Sequence, residues 1–332
     1  MANTTAQFID THIHVITKSF LEALDNANGD PSGYAIPTWT VESCLEYMDS
    51  INEERAILSV TAPGPSIAGS GAEGRKLART LNDEIADIVT SNSGRMSFFA
   101  STPDWNDVQG TLDELDYIFS TQKIAVGVVV MSSYGDRLLG DSLFESIWKK
   151  LNDFKAIVFI HPTSVNISPK FIADHLSQPM FDYPYATSRT AADLLMTGRF
   201  NQCPDIDIIL SHSGGILPYL AERLCAQLYE GDFNYNGTVV TLEDYKRNLN
   251  RFYMDLALGA SAPQMEALIV FGATDRLLFG SDFPYASNTW SKRNTAELLN
   301  FIKTNSNGRL VDAYKLRNNA INLFKKHSIS LD

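Results

Sequence analysis

The stretch QFIDTHIHV, residues 7–15, decides how this chain is interpreted, because it places two histidines on an otherwise strand-like apolar run. Successive side chains of a β-strand point to opposite faces, so His12 and His14, one residue apart, point to the same side. In a barrel that side would be the interior. An isolated HxH pair also fits one structural and one exposed histidine, so the rest of the chain must distinguish the two interpretations.

Seven further runs of β-branched and aromatic residues follow this first one. They are RAILSV, MSFFAST, AVGVVVMS, AIVFIHP, DIILSHSGG, FYMDLAL and RLLFGSDFP. Apolar residues at helical spacing fill the segments between them, for example residues 74–89 and 193–200. Eight alternating units predict an α/β fold, a closed (β/α)₈ TIM barrel with crossover helices. A doubly wound open sheet is the alternative, but the first strand ends in THIH rather than in a Gly-rich phosphate turn.

Three further polar residues stand where predicted strands five, six and eight end: His161, His212 and Asp282. Catalytic groups of barrels gather at the carboxyl ends of the strands, so we expect these residues to meet the HxH pair. Imidazoles with one carboxylate suit Zn²⁺ or Mn²⁺ with a coordination position left open for catalysis. Strand four carries no lysine that could bridge two ions, so we expect one divalent metal and no organic cofactor.

Residues 163–187, after strand five, are rich in proline, serine and aromatic residues. A long segment of this kind after a barrel strand predicts a lid insertion or pocket wall. Its aromatic residues Phe181, Tyr183 and Tyr185 could stack on a planar substrate, although aromatic clusters equally often serve packing alone.

The composition of the chain limits which partners and which cellular compartment it is expected to have. The 332 residues carry a net charge of −12 without a basic run, which argues against nucleic acid. No apolar stretch is long enough for a membrane span, and the N-terminal MANTTAQFID lacks a signal-peptide pattern. The three cysteines form no CxxC pair, which fits a reducing, cytoplasmic setting. No linker divides the chain, so residues 1–332 are expected to form one domain.

The motifs FIDTHIHV, FIHP, LSHSGG and FGSDFPY closely resemble the amidohydrolase-related decarboxylases, which include aminocarboxymuconate-semialdehyde decarboxylase and γ-resorcylate decarboxylase. The resemblance spans nearly the whole chain and is greatest to the fungal 6-methylsalicylate decarboxylases of secondary metabolism. It implies metal ligation by His12, His14, His161 and Asp282, and a catalytic role for His212. Some aromatic decarboxylases of this group have glutamate in place of the first histidine, so the metal preference here could differ from theirs.

The resemblance also implies a homodimer. Arg223 matches an arginine that in these enzymes reaches the active site of a neighbouring subunit and binds carboxylate; the alternative is an ordinary surface arginine. Arg189 and Tyr185 are further candidates for binding an aromatic carboxylate, without a matching family position for Arg189.

The implied reaction is non-oxidative decarboxylation of a hydroxybenzoate such as 6-methylsalicylate, with release of CO₂ and a phenol such as m-cresol and with Asp282 moving the proton. One alternative is a metal-dependent hydrolase or lactonase, in which His212 and Asp282 would activate water. The other is a non-catalytic barrel that keeps the metal for structure or serves as a binding module.

Overall fold

Eight parallel strands form the centre of the computed structural model, which describes residues 7–331; residues 1–6, which hold most of the N-terminal stretch, and residue 332 lie outside it. The strands, in sheet order, are β1 Phe8–His14, β2 Glu53–Ser59, β3 Met96–Ser101, β4 Gly127–Met131, β5 Ile157–His161, β6 Asp207–Leu210, β7 Phe252–Asp255 and β8 Leu277–Leu278. All eight predicted strands are present, and neighbours in the chain are neighbours in the sheet. This order is the one expected from repeated right-handed crossovers.

The sheet closes on itself between its last and first strands. The backbone N–H of Thr11 donates a 3.0 Å hydrogen bond to the carbonyl of Phe279, and the N–H of Asp282 donates a 2.8 Å bond to the carbonyl of His12. The predicted barrel is therefore confirmed. Closure of the barrel also places Asp282 and His12 at the same level along the barrel axis, because the backbone hydrogen bond between them brings these two predicted ligands together.

Helices surround the strands. They are α1 Lys18–Asn26, α2 Val41–Ser50, α3 Ala72–Ser91, α4 Val108–Asp116, α5 Glu145–Asp153, α6 Asp182–Met196, α7 Arg199–Gln202, α8 Leu217–Cys225, α9 Leu242–Leu249, α10 Ala262–Val270, α11 Asn288–Thr304 and α12 Ala313–Lys326. Short antiparallel strand pairs, 133–134 with 137–138 and 233–235 with 238–240, lie outside the barrel. Within residues 7–331, no helix combines the length and the apolar character that crossing a bilayer requires.

The core runs through the sheet and the inner helix faces. Every residue of β1, β3, β4 and β5 is buried, and burial on both faces explains why β3, β4 and β5 are nearly continuous apolar runs. Trp105 and Trp148, both fully buried, pack edge to face with ring centroids 5.3 Å apart. A rigid, densely packed frame of this kind can hold strand-end side chains in fixed positions.

Two segments have helix boundaries that their sequence patterns did not define. Within the segment 163–187, a 3₁₀ helix forms at Gln178–Met180 and α6 begins at Asp182, with Pro184 in its first turn, where the missing N–H costs no helical hydrogen bond. The helix expected over 193–200 is interrupted at Gly198, whose φ of 69° is left-handed. A Cβ at Gly198 would lie 2.7 Å from Thr238, so glycine allows this close contact.

Candidate metal centre

Four buried side chains converge at the carboxyl end of the barrel. His12 and His14 come from β1, His161 ends β5, and Asp282 follows β8, and one ligand atom from each lies within 4.8 Å of all the others. The alternation of β1 points both of its histidines inward, as the sequence predicted. The structure thus brings together the whole predicted ligand set.

The spacing of these atoms suits a metal ion. The Nε2 atoms of His12 and His14 are 3.2 Å apart, and Oδ1 of Asp282 lies 3.4 Å from the first and 3.1 Å from the second. Ligands bound tetrahedrally at about 2.0–2.1 Å would be about 3.4 Å from one another. The observed separations are therefore close to those of ligands around one small cation.

Hydrogen bonds orient the three imidazoles. The Nδ1 atom of His12 faces Oδ2 of Asp255 at 2.9 Å, that of His14 faces the carbonyl of Ser59 at 3.2 Å, and that of His161 faces the carbonyl of Pro162 at 2.7 Å. These oxygens only accept, and the hydroxyl of Ser59, which also lies 3.2 Å from Nδ1 of His14, can accept as well. With the hydrogen on each Nδ1, each Nε2 can offer a lone pair to the common point. A group of three metal-binding histidines requires this arrangement.

Charge at the site favours a cation. Burial alone lowers the pKa of His12, but the carboxylates of Asp255 and Asp282 outweigh it and raise that pKa to about 10. Burial would raise the pKa of Asp282, yet hydrogen bonds with His12 and His14 hold it well below its ordinary value. Burial, together with the neighbouring histidines, lowers the pKa of His161 well below normal. The centre attracts positive charge and keeps its carboxylate ionised, which fits a divalent metal.

His212 lies beside the cluster. Its ring centroid is 4.7 Å from that of His12, and its Nδ1 faces the carbonyl of Ala257 at 3.1 Å, so Nε2 is its free nitrogen. Burial and then the charge of His12 lower the pKa of His212, which favours the neutral form. Both His212, at φ 53°, and Asp282, at φ 61°, adopt left-handed backbone conformations, which are uncommon for residues other than glycine.

The cluster opens into a cleft that His161 and Asp282 help to line. Its apolar wall is formed by Ala62, Pro179, Met180, Leu258 and Trp290, and its polar groups beyond the ligands by Asp30, Tyr34, Thr61, Tyr183 and Tyr285. Pro179 and Met180 belong to the segment predicted as a lid, so that segment does contribute to the pocket wall. No lysine or arginine of the described residues lines the cleft.

Three predicted substrate-binding residues lie elsewhere. Tyr185, Arg189 and Arg223 border an apolar groove between α6 and α8, outside the cleft of their own chain. The aromatic side chain of Tyr183 does line the cleft, whereas Phe181 is 67% exposed. Substrate binding by Arg223 stays a prediction that requires a second subunit, and substrate binding by Tyr185 and Arg189 stays a prediction as well.

Two residues of the centre were missed at the level of sequence. Asp255 ends β7 in FYMDL and could have been found by the strand-end rule that identified His161. Tyr285 belongs to the quoted motif FGSDFPY, three residues after Asp282, but nothing in the pattern tells a pocket residue from a packing one.

Comparison with known proteins is consistent with this geometry. The family model described as "Amidohydrolase" matches residues 9–325. The decarboxylase yanB of Aspergillus niger is 37% identical, with 98% of this chain and 89% of the relative covered. The 6-methylsalicylic acid decarboxylase acuB of Aspergillus aculeatus is 39% identical, with 96% of both chains covered.

A solved structure supports the fold. The 5-carboxyvanillate decarboxylase of Novosphingobium aromaticivorans, complexed with manganese and 4-hydroxy-3-methoxy-5-nitrobenzoic acid, superposes with a TM-score of 0.82 at 19% identity. The superposition covers 98% of this chain and 97% of the other.

Proposed function

The chain belongs to the amidohydrolase family, and on that premise we propose that it is a metal-dependent decarboxylase of hydroxybenzoates, with 6-methylsalicylate as substrate. The observation that carries this proposal is the convergence of His12, His14, His161 and Asp282 beside a cleft lined by aromatic and aliphatic side chains. The similarity over nearly the full length to the Aspergillus aculeatus 6-methylsalicylic acid decarboxylase supports the substrate.

We propose that the site holds one divalent ion, with zinc as the first candidate and manganese as the second. Imidazole nitrogen favours zinc, whereas manganese accompanies the structural relative described above. When bound, the metal would supply a Lewis acid for the phenolic and carboxylate oxygens of the substrate. No organic cofactor is needed for this chemistry.

Asp282 would move the proton. Its ionised carboxylate first accepts the proton of the substrate's phenol and then delivers it to the ring carbon that bears the carboxylate. The new C–H bond leaves a ring ketone β to the carboxylate. The bond to the carboxylate carbon then breaks, its electrons restore the aromatic ring, and CO₂ leaves. The phenolate formed takes one proton from solvent, so one proton is consumed for each CO₂ released.

His212 would hold the substrate in this geometry. Its Nδ1–H is engaged with Ala257, so the free Nε2 is the atom that can meet a substrate oxygen or its proton. A neutral imidazole can accept a hydrogen bond from the phenol before transfer and stabilise the oriented substrate.

The test is direct. Purified enzyme is stripped with a chelator, reloaded with Zn²⁺ or Mn²⁺ and incubated with 6-methylsalicylate, and CO₂ and 3-methylphenol are measured. We expect both products in equal amounts from the reloaded enzyme and neither from the stripped one. Failure to release CO₂ from any hydroxybenzoate, with turnover of lactones, would overturn the proposal in favour of a hydrolase.

We further propose a homodimer in which Arg223 of the partner subunit completes the site. Arg223 lies on α8 beside a surface that exposes Tyr219 by 87% and Ile216 by 40%, and exposed apolar patches commonly mark protein interfaces. The cleft's own chain offers no cation to the substrate among the described residues. An arginine from a second copy would supply that charge.

Mixed dimers test this assembly. Arg223→Ala and Asp282→Asn are each expected to be nearly inactive as pure proteins. After denaturation and co-refolding, equal amounts should recover about a quarter of wild-type activity, because half the dimers are mixed and each has one intact site. No recovery, with dimers confirmed by light scattering, would contradict the donated arginine.

A further inference from the structure

Asp30 places a carboxylate in the wall of the substrate cleft, although it belongs neither to the metal centre nor to the proposed proton transfer. It lies between α1 and α2, on a segment without helix or strand. Its Oδ1 accepts a 2.7 Å hydrogen bond from the backbone N–H of Ser32. This local bond fixes the position of the carboxylate on an otherwise irregular segment.

The charge of Asp30 acts inside the cleft. Burial, and after it the carboxylate of Asp30, raise the pKa of Tyr183 and the pKa of Tyr285, two residues that line the same cleft. A carboxylate disfavours the ionisation of a phenol only when it lies near it. The negative charge of Asp30 is therefore directed at the interior of the cleft.

Little within the described part of the chain opposes this charge. Burial raises the pKa of Asp30, the hydrogen bonds with Ser32 lower it, and the charge of Lys170 lowers it least. No lysine or arginine of the described residues lines the cleft itself. Charges in such a site interact through an effective dielectric constant of about 20 rather than the value of about 80 in water, so the carboxylate repels another anion strongly.

The proposed substrate carries one carboxylate beside its phenol. The metal and the partner subunit's Arg223 would balance the charge of these two groups. A second anionic group on the ring would have neither partner and would be repelled by Asp30. A methyl group carries no charge and meets no such repulsion.

We infer that Asp30 is a specificity-determining residue, which excludes hydroxybenzoates that carry a second negatively charged substituent on the ring. The inference rests on the proposed function and deepens it, because it narrows the substrate class to rings whose remaining substituents are uncharged. Asp30 acts in this way by repulsion and forms no bond with the substrate.

Two nitrophenols test the inference without turnover. In 4-hydroxy-3-nitrobenzoate a carboxylate stands opposite the phenol, and in 2,4-dinitrophenol an uncharged nitro group of the same shape takes that position. Neither has a carboxylate next to its phenol, so neither can undergo the proposed reaction. Their dissociation constants are measured by calorimetry on metal-loaded protein at about pH 8, where aspartate is ordinarily ionised.

Wild type is compared with Asp30→Asn and Asp174→Asn. Asparagine at position 30 keeps the side-chain oxygen that accepts the N–H of Ser32 and removes only the charge. Asp174→Asn is the matched control, because it removes the same charge from an exposed residue of the segment 163–187 that does not line the cleft.

We expect wild type to bind the dinitro compound more tightly than the benzoate. Asp30→Asn should narrow this ratio about tenfold through tighter binding of the benzoate, as repulsion between unit charges about 10 Å apart at an effective dielectric constant of about 20 predicts. Asp174→Asn should leave the ratio unchanged.

Four results would overturn the inference: an unchanged ratio in Asp30→Asn, a narrowing that comes only from weaker binding of the dinitro compound, an equal narrowing in Asp174→Asn, or a wild type that binds neither ligand. CO₂ release from 6-methylsalicylate is assayed separately. Its absence together with the expected narrowing refutes the proposed function alone.

Discussion

The side chains of His12 and Asp255 are both fully buried, and Nδ1 of the first lies 2.9 Å from Oδ2 of the second. The other carboxylate oxygen of Asp255 accepts hydrogen bonds from the backbone N–H groups of His212, at 3.1 Å, and Ala257, at 3.0 Å. The carboxylate of Asp255, at the end of β7, therefore orients the metal ligand His12 on β1 and fixes the backbone of the loop that carries His212.

Asp255→Asn should weaken metal binding. The amide keeps the size of the side chain but loses the charge that makes the imidazole of His12 a better ligand, so we expect metal affinity to fall about 10- to 100-fold. Competition with a chromogenic chelator measures the affinity. Asp207→Asn, a buried aspartate bonded to Lys326 and His327 at the far side of the molecule, is the control and should bind metal normally. Equal affinity in Asp255→Asn and wild type would argue against this role.

Asp282→Asn should abolish turnover even at saturating metal. An amide can neither accept the phenolic proton nor return it to the ring carbon, and general acid–base catalysis contributes about 10²–10⁴-fold. We therefore expect kcat to fall at least about 100-fold in protein shown by elemental analysis to contain one metal. A metal-loaded variant within about tenfold of wild type would show that another group moves the proton.

Two substitutions at His212 distinguish the role of its Nδ1 atom from that of its Nε2 atom. Asparagine can still donate to the carbonyl of Ala257 but lacks an atom at the Nε2 position, whereas the amide of glutamine reaches that position. His212→Asn should lose about 10²-fold in kcat with metal retained, and His212→Gln should lose less. Full activity of His212→Asn with its metal intact would favour a non-catalytic role for this side chain.

The ion pairs of Asp207 with Lys326 and His327 should make the free energy of unfolding depend on pH. Burial raises the pKa of Asp207, but hydrogen bonds with His327 and Lys326 outweigh it and leave that pKa below its ordinary value. Because the pKa of Asp207 is lower in the folded than in the unfolded state, its ionised carboxylate stabilises the fold at pH values above the unfolded-state pKa near 3.8. This stabilisation is lost as the pH falls through the folded-state pKa. Asp207→Asn should therefore cost about 1–3 kcal/mol at pH 7.

The difference between wild type and Asp207→Asn should shrink as the pH drops below about 4. Urea unfolding at several pH values checks this dependence. A difference that stays constant with pH would mean that the charge of Asp207 plays no part.

The metal ligands could be predicted from sequence because their positions depend on local rules. Period-two alternation fixes the directions of His12 and His14, and strand ends fix the height of His161 and Asp282. The same rule would have found Asp255, which stands at the end of β7.

The part of the cleft wall that Asp30 and Tyr34 form could not be predicted, because only tertiary contacts bring these residues to the cleft. Asp30 and Tyr34 lie between α1 and α2, on a segment that forms no helix or strand and shows no periodicity, and Gly33 of this segment lies close to the ring of Phe171. The start of α6 at Asp182 was likewise hidden by the loop-like composition of the preceding segment.

Anomalous diffraction from crystals of the metal-loaded enzyme tests the central claim most directly. We expect one peak per subunit, bonded at about 2.0–2.2 Å to Nε2 of His12, His14 and His161 and to the carboxylate of Asp282. A peak at another place, two peaks within the barrel, or a fully loaded protein without metal at these four side chains would contradict the account.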